Sequence, residues 1–425
     1  MDKVTKNNKI SKNNNGFTAI NATVAGIDIG ANSVFVCSGK ANGSTETREF
    51  STYTDSLRAM VTWLKERENT SVAMESTGVY WIPVYDLLEQ AGFSVTLTNA
   101  HHVKAVPGRK TDVKDCEWLQ KLHSCGLMRG SFRPSGDQLI LRGYTRHRTN
   151  IVRSRSTQIQ LMQKAMTQMN IQLRQAVSDI DGDTGMRIMR SIVAGERNAL
   201  TLAELRDPRC RKSKKEIARA LNGNYREEHV FALKQALQTY DFLSTQIAEC
   251  DEQIRKNIES WDDYVAGTSV EKEKPVNGEI EEESLNSKKK STQSTRELNL
   301  AETLEEKLGV NLTQIPGLNI NSVVTLVSEV GMDMSAFATE KNFTSWLGLC
   351  PNNKISGGKV LSSATKPSAN KAAQIFRLAA LSVSRSKTAL GAFYRKMRGK
   401  LGGPKAVRAR AKTTYVFKSE LGIIV

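Results

Sequence analysis

The chain has 425 residues, more than one ordinary compact core holds, so two or three structural units are expected. Lys and Arg number 61 against 44 Asp and Glu, and the net charge of +17 suits a polyanionic partner, of which nucleic acid is the first candidate. No run of about 18 uncharged apolar residues is present, and residues 1–15 lack the apolar core of a signal peptide. We therefore expect a cytoplasmic protein without a membrane partner.

The six cysteines are scattered along the chain. They form no C-x-x-C pair and no His stands at zinc-ligand spacing, which argues against a zinc site and against a disulfide framework. We therefore expect free, reduced thiols.

The first part of the chain carries the pattern of an α/β domain. Residues 1–22 are polar and low in complexity, and they predict a disordered basic tail. In residues 23–135, three strand patterns form a meander and are followed by alternating helices and strands, which is typical of a mixed sheet with helices on its faces. The predicted strands are Thr23–Ala31, Ser33–Ser38, Thr45–Ser51, Ser71–Glu75 and Ser94–Asn99, and the predicted helices lie around Leu57–Leu64, at Trp81–Gln90 and from Thr111 onward.

The middle of the chain, residues 136–266, predicts long helices and no strands. One helix has a single apolar face between Met162 and Leu173. A later helix repeats apolar residues every seven positions from Leu233 to Ile254, with polar interruptions at Ser244 and Asp251. This spacing indicates an imperfect coiled coil, and hence a helical arm that can pair with a second copy.

The last part of the chain divides into a linker and a basic domain. Residues 267–297 hold almost nothing that could form a core, and they predict a disordered linker. Residues 298–425 predict a mostly helical domain, in which Ile315–Glu329 resembles a helix-hairpin-helix unit whose Gly-containing turn can present N–H groups to phosphate.

Basic residues are concentrated at the end of this domain. From Lys366 onward the chain has fourteen Lys or Arg and one acid, Glu420, which fits phosphate contacts along a duplex or a structured RNA. Solubility explains any single one of these side chains but explains the whole set poorly. The candidate nucleic-acid contacts are Lys354, Lys359, Lys366, Lys371, Arg377, Arg395, Lys396 and Arg398, together with Arg142, Arg146 and Arg153 on the first long helix.

Four carboxylates of the first domain are candidate metal ligands. Asp28 interrupts the apolar strand VAGIDIG and Glu75 ends the apolar strand VAME, where an unpaired carboxylate is costly. Asp112 and Asp115 stand three residues apart at the start of a predicted helix, on the face of Leu119 that turns toward the sheet. Divalent cations would neutralise such a cluster, and hard oxygen ligands select Mg²⁺ or Mn²⁺. Two such ions would serve phosphodiester chemistry.

An ordinary structural role accounts for each of these acids taken alone. Asp112 can cap a helix, Asp115 is a favourable acid in a first helical turn, and Asp28 and Glu75 can pair with Lys or Arg. Two acids embedded in strands, followed by an acid pair on one helix face, favour the metal site when they are taken together.

Several motif blocks follow one another in a fixed order. Asp28 lies in GIDIG, Glu75 in MESTGVYW, and Asp112 with Asp115 in RKTDVKDCEWL; the later blocks are QIPGLNINSVVTLVSEVG, FTSWLGLCPNNKISGGK and AAQIFRLAALSVSRSKTALGAFYRKM. With these blocks the chain resembles the DEDD transposases, a family of insertion-sequence recombinases and related Piv-type DNA invertases, some of them directed by a structured bridge RNA. The resemblance implies a RuvC-like, RNase H-like N-terminal domain, a helical coiled-coil arm and a mostly helical C-terminal transposase domain.

The resemblance also implies a second catalytic residue, Ser356, which follows the W-x-G-x-x-P block. In the family this serine attacks a DNA phosphodiester and forms a phosphoserine, helped by metals on the four carboxylates Asp28, Glu75, Asp112 and Asp115. Exchange through a protein-linked intermediate conserves the bond energy that rejoining requires. Because the family places the serine and the carboxylates of one site on different protomers, a dimer or tetramer is implied.

From the residues alone, Ser356 lies in a Gly-rich turn, where serine commonly bonds backbone. The turn is not a P-loop, because Val360 stands where that motif needs Ser or Thr. Lys354 and Lys359 flank the serine and can hold a scissile phosphate. We expect a Mg²⁺- or Mn²⁺-dependent DNA recombinase that acts on double-stranded DNA, with a structured guide RNA as a further candidate partner. A metal-dependent junction resolvase or nuclease that uses water, and an inactive DNA-binding remnant of a mobile element, remain open alternatives.

Overall fold

The chain divides into two compact units, Met1–Arg133 and Pro134–Val425. The computed structural model describes residues 19–76, 78–99, 112–134, 136–261, 292–365 and 370–409. The predicted basic tail therefore lies outside the described residues up to residue 18, and the predicted linker lies outside them as far as residue 291.

The first unit is built on one five-stranded sheet. Its strands are β1 (Val24–Ile29), β2 (Ser33–Gly39), β3 (Thr45–Ser51), β4 (Ser71–Glu75) and β5 (Ser94–Thr98), arranged in the order β3-β2-β1-β4-β5. β1–β2 and β2–β3 pair antiparallel, whereas β1–β4 and β4–β5 pair parallel. The five predicted strands and the meander of the first three are confirmed, and the mixed sheet is compatible with an RNase H-like fold.

Helices cover both faces of this sheet, as the alternation of its strands requires. Ala25, Ile27 and Ile29 of β1 belong to a core that also contains buried residues of α1 (Thr54–Glu66) and α2 (Trp81–Gln90). The opposite face meets α3 (Asp112–Ser124) at Gly26, where a Cβ atom would lie 2.2 Å from the backbone nitrogen of Gln120. Only glycine therefore lets α3 lie this close to β1.

The second unit begins with two long helices that pack antiparallel within the chain. They are α4 (Asp137–Gln168) and α9 (Glu227–Glu259). Near one end of the pair, Leu141 shares a core with Ile254 and Ile258. Near the other end, Met162 and Met166 share a core with Leu233 and Leu237. The predicted seven-residue repeat therefore packs on α4 of the same chain, which corrects the expectation that this stripe pairs with a second copy.

Four short helices fill the connection between α4 and α9. Asn198 caps α7 (Ala199–Glu204) by accepting hydrogen bonds from backbone N–H groups, and Ser213 with Glu216 forms a capping box on α8 (Lys214–Ala220). The Met-rich face of α4 is buried against these helices and is a packing surface. The four helices are α5 (Leu173–Ala176), α6 (Asp183–Val193), α7 (Ala199–Glu204) and α8 (Lys214–Ala220).

The C-terminal part of this unit is mostly helical, as expected. A helix occupies Thr292–Leu308, so the last residues of the predicted linker are helical rather than disordered. Most of the remaining elements are helices, and two short strands form a hairpin. They are α10 (Thr292–Leu308), α11 (Ile320–Val330), α12 (Glu340–Trp346), β6 (Lys354–Ser356), β7 (Lys359–Ser362), α13 (Lys371–Ser382) and α14 (Ala389–Leu401), with 3-10 turns at Leu312–Gln314 and Val383–Arg385.

The Gly317 turn ahead of α11 contacts the protein itself. Gly317 has φ +93°, and a Cβ there would lie 2.7 Å from the carbonyl oxygen of Ala379 in α13. The turn is therefore packed against α13, and the contact of its N–H groups with phosphate stays a prediction.

The structure bears on two expectations from the sequence, that the cysteines are free and that no segment crosses a membrane. All six cysteines are free, which confirms that prediction, and burial raises the pKa of the Cys37 thiol to about 11. Across the described ranges, no helix has both the length and the apolar character that crossing a bilayer requires.

Candidate active site and nucleic-acid interface

Asp28 and Glu75 lie side by side at the carboxyl edge of the sheet. β1 and β4 are parallel, with Ile27 opposite Met74, so the next residues along the two strands are Asp28 and Glu75. Ile27 and Met74 point into the core, and the alternation of a strand turns Asp28 and Glu75 to the face on which α3 packs. Both acids are partly exposed among the residues that the structure describes.

α3 runs antiparallel to β1, which brings the start of the helix to the same edge. Its last turn lies at the amino edge of the sheet, where His123 Nε2 is 2.7 Å from Ser71 Oγ and the Ile20 amide donates to the Ser124 carbonyl. The first turn, with Asp115, therefore lies toward the carboxyl edge. Burial is the main cause that raises the pKa of the Cys116 thiol, and the charge of Asp28 adds to it, which indicates that Asp28 is near this turn.

The four predicted ligands are described to different degrees. Asp115 is partly exposed, whereas the side chain of Asp112, the first residue of α3, lies outside what the structure describes. In the described part of the chain, no group of three or more His, Cys, Asp or Glu side chains is close enough to hold a metal ion. The edge thus brings Asp28 and Glu75 together and Asp115 to the same end. Their oxygen donors match the ligands that Mg²⁺ or Mn²⁺ prefers.

Ser356 stands at the tip of an exposed hairpin in the second unit. It ends β6 and pairs across the hairpin with Lys359, and the turn between them is Gly357-Gly358, with φ of +55° and +77°. A two-residue turn with positive φ at both positions strongly favours glycine, which has no Cβ to clash there. The Gly-rich segment therefore forms a defined hairpin that presents an exposed serine beside an exposed lysine.

The hairpin exposes apolar side chains as well as the serine. Ile355 is 61% exposed, Val360 57% and Leu361 70%. Lys354 lies at the start of β6 opposite Ser362, and it is exposed too. An apolar and basic hairpin that projects from a helical unit has the character of a contact element.

Two of the predicted nucleic-acid contacts pair with a buried acid, and two more act electrostatically on the same group of charges. Glu329 of α11 is 3% exposed, and its Oε1 and Oε2 accept hydrogen bonds of 2.9 Å from Nε and Nη2 of Arg146. Nη2 of Arg142 lies 3.0 Å from Glu329 Oε2. Burial is the main cause that lowers the pKa of Lys371, and the charges of Arg146 and Arg153 add to it. We call these five residues the Glu329 cluster.

A second basic group forms a cleft near the end of the described chain. The cleft has a volume of about 830 Å³ and lies between the loop after α13, α14 and the helical residues 403–409. Its basic lining residues are Arg385, Lys387, Arg395 and Arg398. We call it the basic cleft. Arg385 and Lys387 were not among the individual candidates, although both belong to the basic stretch after Lys366.

The remaining candidates have different surroundings. Lys396 is exposed on α14 but does not line the basic cleft. Arg377 is partly buried, and its Nε has no hydrogen-bond partner within the described residues. Lys366 lies outside the described residues.

Comparison with known proteins gives two family matches. A model of the DEDD transposases of the IS110 type matches residues 25–171, the stretch with Asp28, Glu75, Asp112 and Asp115. A model of the transposases of the IS116/IS110/IS902 family matches residues 310–395, the stretch with Glu329, the hairpin and most of the basic cleft. A search of curated proteins finds no significant match.

Proposed function

The chain belongs to the IS110 family of DEDD transposases and is a DNA transposase, and from this premise we propose that it cuts and rejoins DNA through a carboxylate-bound metal site and the hydroxyl of Ser356. The observation that supports the acid half of the site is the register that sets Asp28 beside Glu75. The observation that supports the serine half is the exposed hairpin tip that carries Ser356.

Asp28, Glu75, Asp112 and Asp115 are the proposed ligands of Mg²⁺ or Mn²⁺. When bound, the metal would stabilise charge on the entering and leaving oxygens of a phosphodiester. The protein fixes Asp28 and Glu75 through backbone pairing, so these two ligands need no rearrangement of the sheet. Asp115 and Asp112 are on a helix held to the sheet by its close approach at Gly26.

Ser356 is the proposed nucleophile. Its Oγ attacks the phosphorus of a DNA phosphodiester, an Oγ–P bond forms, the bond from phosphorus to one sugar oxygen breaks, and that oxygen takes up a proton as the hydroxyl proton of Ser356 is lost. A sugar hydroxyl of the strand to be joined then attacks the same phosphorus and releases the serine. One P–O bond replaces another in each step, so rejoining requires no ATP. Lys359, opposite Ser356, and Lys354 supply positive charge for the phosphate.

Two partner assignments belong to the same proposal. A structured RNA is proposed as a guide, because the basic residues of the second unit exceed what one catalytic site needs. A homo-oligomer is also proposed, because the DEDD transposases place the serine and the carboxylates of one site on different protomers. Phe231 and Phe242, each 61% exposed and eleven residues apart on α9, offer an apolar face for pairing of copies.

The test is covalent capture of labelled DNA. Wild-type protein is mixed with a duplex that carries an element end and Mg²⁺, denatured, and separated by size. We expect a protein–DNA adduct that is lost in Ser356→Ala and kept in Ser362→Ala, a matched serine of the same hairpin. Cleavage that persists in Ser356→Ala would replace the proposal with a water-using nuclease. Absence of cleavage in wild type at every tested metal would indicate an inactive remnant.

A further inference from the structure

The basic cleft is built from a loop that is fixed against α14. Arg395 Nη1 donates to the carbonyl oxygens of Ser384, at 3.2 Å, and Ser386, at 2.8 Å. A Cβ at Gly391 of α14 would lie 2.3 Å from the same Ser386 carbonyl, so the helix and the loop touch through backbone atoms. Ser386 Oγ donates to the Val383 carbonyl at 2.8 Å. The walls of the cleft are therefore held in place without a ligand.

The charge of the cleft has one sign. Arg385, Lys387 and Arg398 line it and are exposed, and no acid is among the lining residues. Within the described residues none of these three makes an ion pair, in contrast to the arginines of the Glu329 cluster. Residues 410–425 add three basic residues and one acid to the chain, so they are not a complementary occupant. Guanidinium and ammonium groups converging on one cleft match phosphate oxygens.

The size and the lining decide which nucleic acid fits. The volume of about 830 Å³ is comparable to that of small-ligand sites, about 300–1,000 Å³, so one strand can enter the cleft whereas a duplex can only lie across its mouth. Tyr394 is the aromatic residue of the lining, and it is 5% exposed, so it offers little surface for base stacking. The contacts available are therefore to the backbone of a single strand and not to its bases.

We propose that the basic cleft binds the phosphodiester backbone of a single-stranded nucleic acid. It is a site separate from the Ser356 hairpin, and Arg395 is a positioning residue that holds the wall, whereas Lys387, Arg385 and Arg398 contact the phosphates. The proposal rests on the proposed function only in taking nucleic acid as the ligand. During strand exchange, such a cleft would hold a strand displaced from its duplex or an unpaired segment of an RNA.

The test measures fluorescence anisotropy of the full chain with labelled oligothymidine, oligouridine and a mixed-sequence DNA duplex over a salt series. The cleft variant is Lys387→Gln with Arg398→Gln. The matched control, Lys341→Gln with Lys400→Gln, removes the same charge from exposed positions that do not line the cleft. We expect the cleft variant to bind single strands about 10-fold more weakly and to lower the slope of log K against log salt by about 1.4, since each lost phosphate contact contributes about 0.7. Duplex binding should change as little as in the control.

The two single-stranded probes distinguish the source of the strand. A loss confined to oligothymidine identifies a DNA strand, a loss confined to oligouridine identifies RNA, and an equal loss identifies the shared backbone; each supports the cleft. Equal weakening by the cleft and control variants, or a loss confined to the duplex, overturns it. Ser356→Ala should bind single strands as wild type does, because the hairpin is separate from the cleft. If wild type forms no DNA adduct, the proposed catalysis is wrong, and the binding measurement still tests the cleft by itself.

Discussion

The carboxyl edge of the first unit and the Glu329 cluster of the second both gather like charges, but they hold them by different means. At the edge, Asp28 and Glu75 are set side by side by strand register, and both remain partly exposed. In the Glu329 cluster, Arg142 and Arg146 share the carboxylate of a buried acid. Strand register fixes where Asp28 and Glu75 stand, whereas a buried counter-ion joins the arginines of the Glu329 cluster and holds α4 to α11.

The largest effect should come from the edge. Glu75→Gln or Asp28→Asn should lower DNA cleavage by about a thousandfold or more, because each removes a proposed ligand of the proposed catalytic metal. The free energy of unfolding should change by less than about 1 kcal/mol, since the substitutions keep the shape of partly exposed side chains. Cleavage rates and urea unfolding check both, with Glu66→Gln on α1 as the control. Loss of activity together with large destabilisation would mean that these acids are structural.

Glu329→Ala should instead affect the stability of the protein. The substitution leaves two guanidinium groups without their shared carboxylate, and we expect the free energy of unfolding to fall by about 3 kcal/mol. This value is at the lower end for a broken buried pair, because the side chain of Arg146 is 46% exposed. Asp251→Ala is the matched control, since it breaks an exposed ion pair with Arg148 on the same helix and should cost less than about 1 kcal/mol. Similar losses in both variants would remove the distinction between the two kinds of pair.

Gly26→Ala tests how α3 reaches the edge. The added Cβ would lie 2.2 Å and 2.3 Å from backbone atoms of Gln120 and Cys116, so the helix must shift, and we expect a cost of about 2 kcal/mol. Cleavage should fall as well, because Asp115 moves with the helix. Gly130→Ala is the control, since its Cβ would meet only a side-chain atom at 3.9 Å. Equal melting temperatures for the two variants would contradict the close approach.

The smallest effect concerns pH. Burial lowers the pKa of His123 below its usual 6.5, so the folded state resists a proton that the unfolded chain accepts. Stability should therefore fall as the pH drops through 6.5 and level off below the folded pKa. Denaturant unfolding measured from pH 8 to pH 5 should show this slope in wild type and in the exposed-histidine variant His147→Asn, and a flatter curve in His123→Asn. An unchanged slope in His123→Asn would assign the pH dependence to another group.

Much of the first unit could be predicted from sequence because its signals are local. The alternation in each strand and the turns between them give the five strands, and the polar interruptions at Asp28 and Glu75 mark the candidate acids. The second unit is harder to predict, because an apolar stripe on a helix indicates that the face is buried but does not identify the segment that covers it. The seven-residue repeat of α9 indicates a coiled coil that can pair with a second copy, and in the structure it packs on α4 of the same chain.

By itself the sequence determined the strand alternation, the helix positions and the set of acidic and basic side chains from which the sites are made. Only the tertiary structure decided which of them meet: Asp28 with Glu75, Arg142 and Arg146 with Glu329, and Arg395 with the carbonyls that shape the basic cleft. The physical reason is that periodicity and composition are properties of neighbouring residues. Counter-ions and cavities instead arise between segments far apart in the chain, as with Arg146 and Glu329, which stand 183 residues apart.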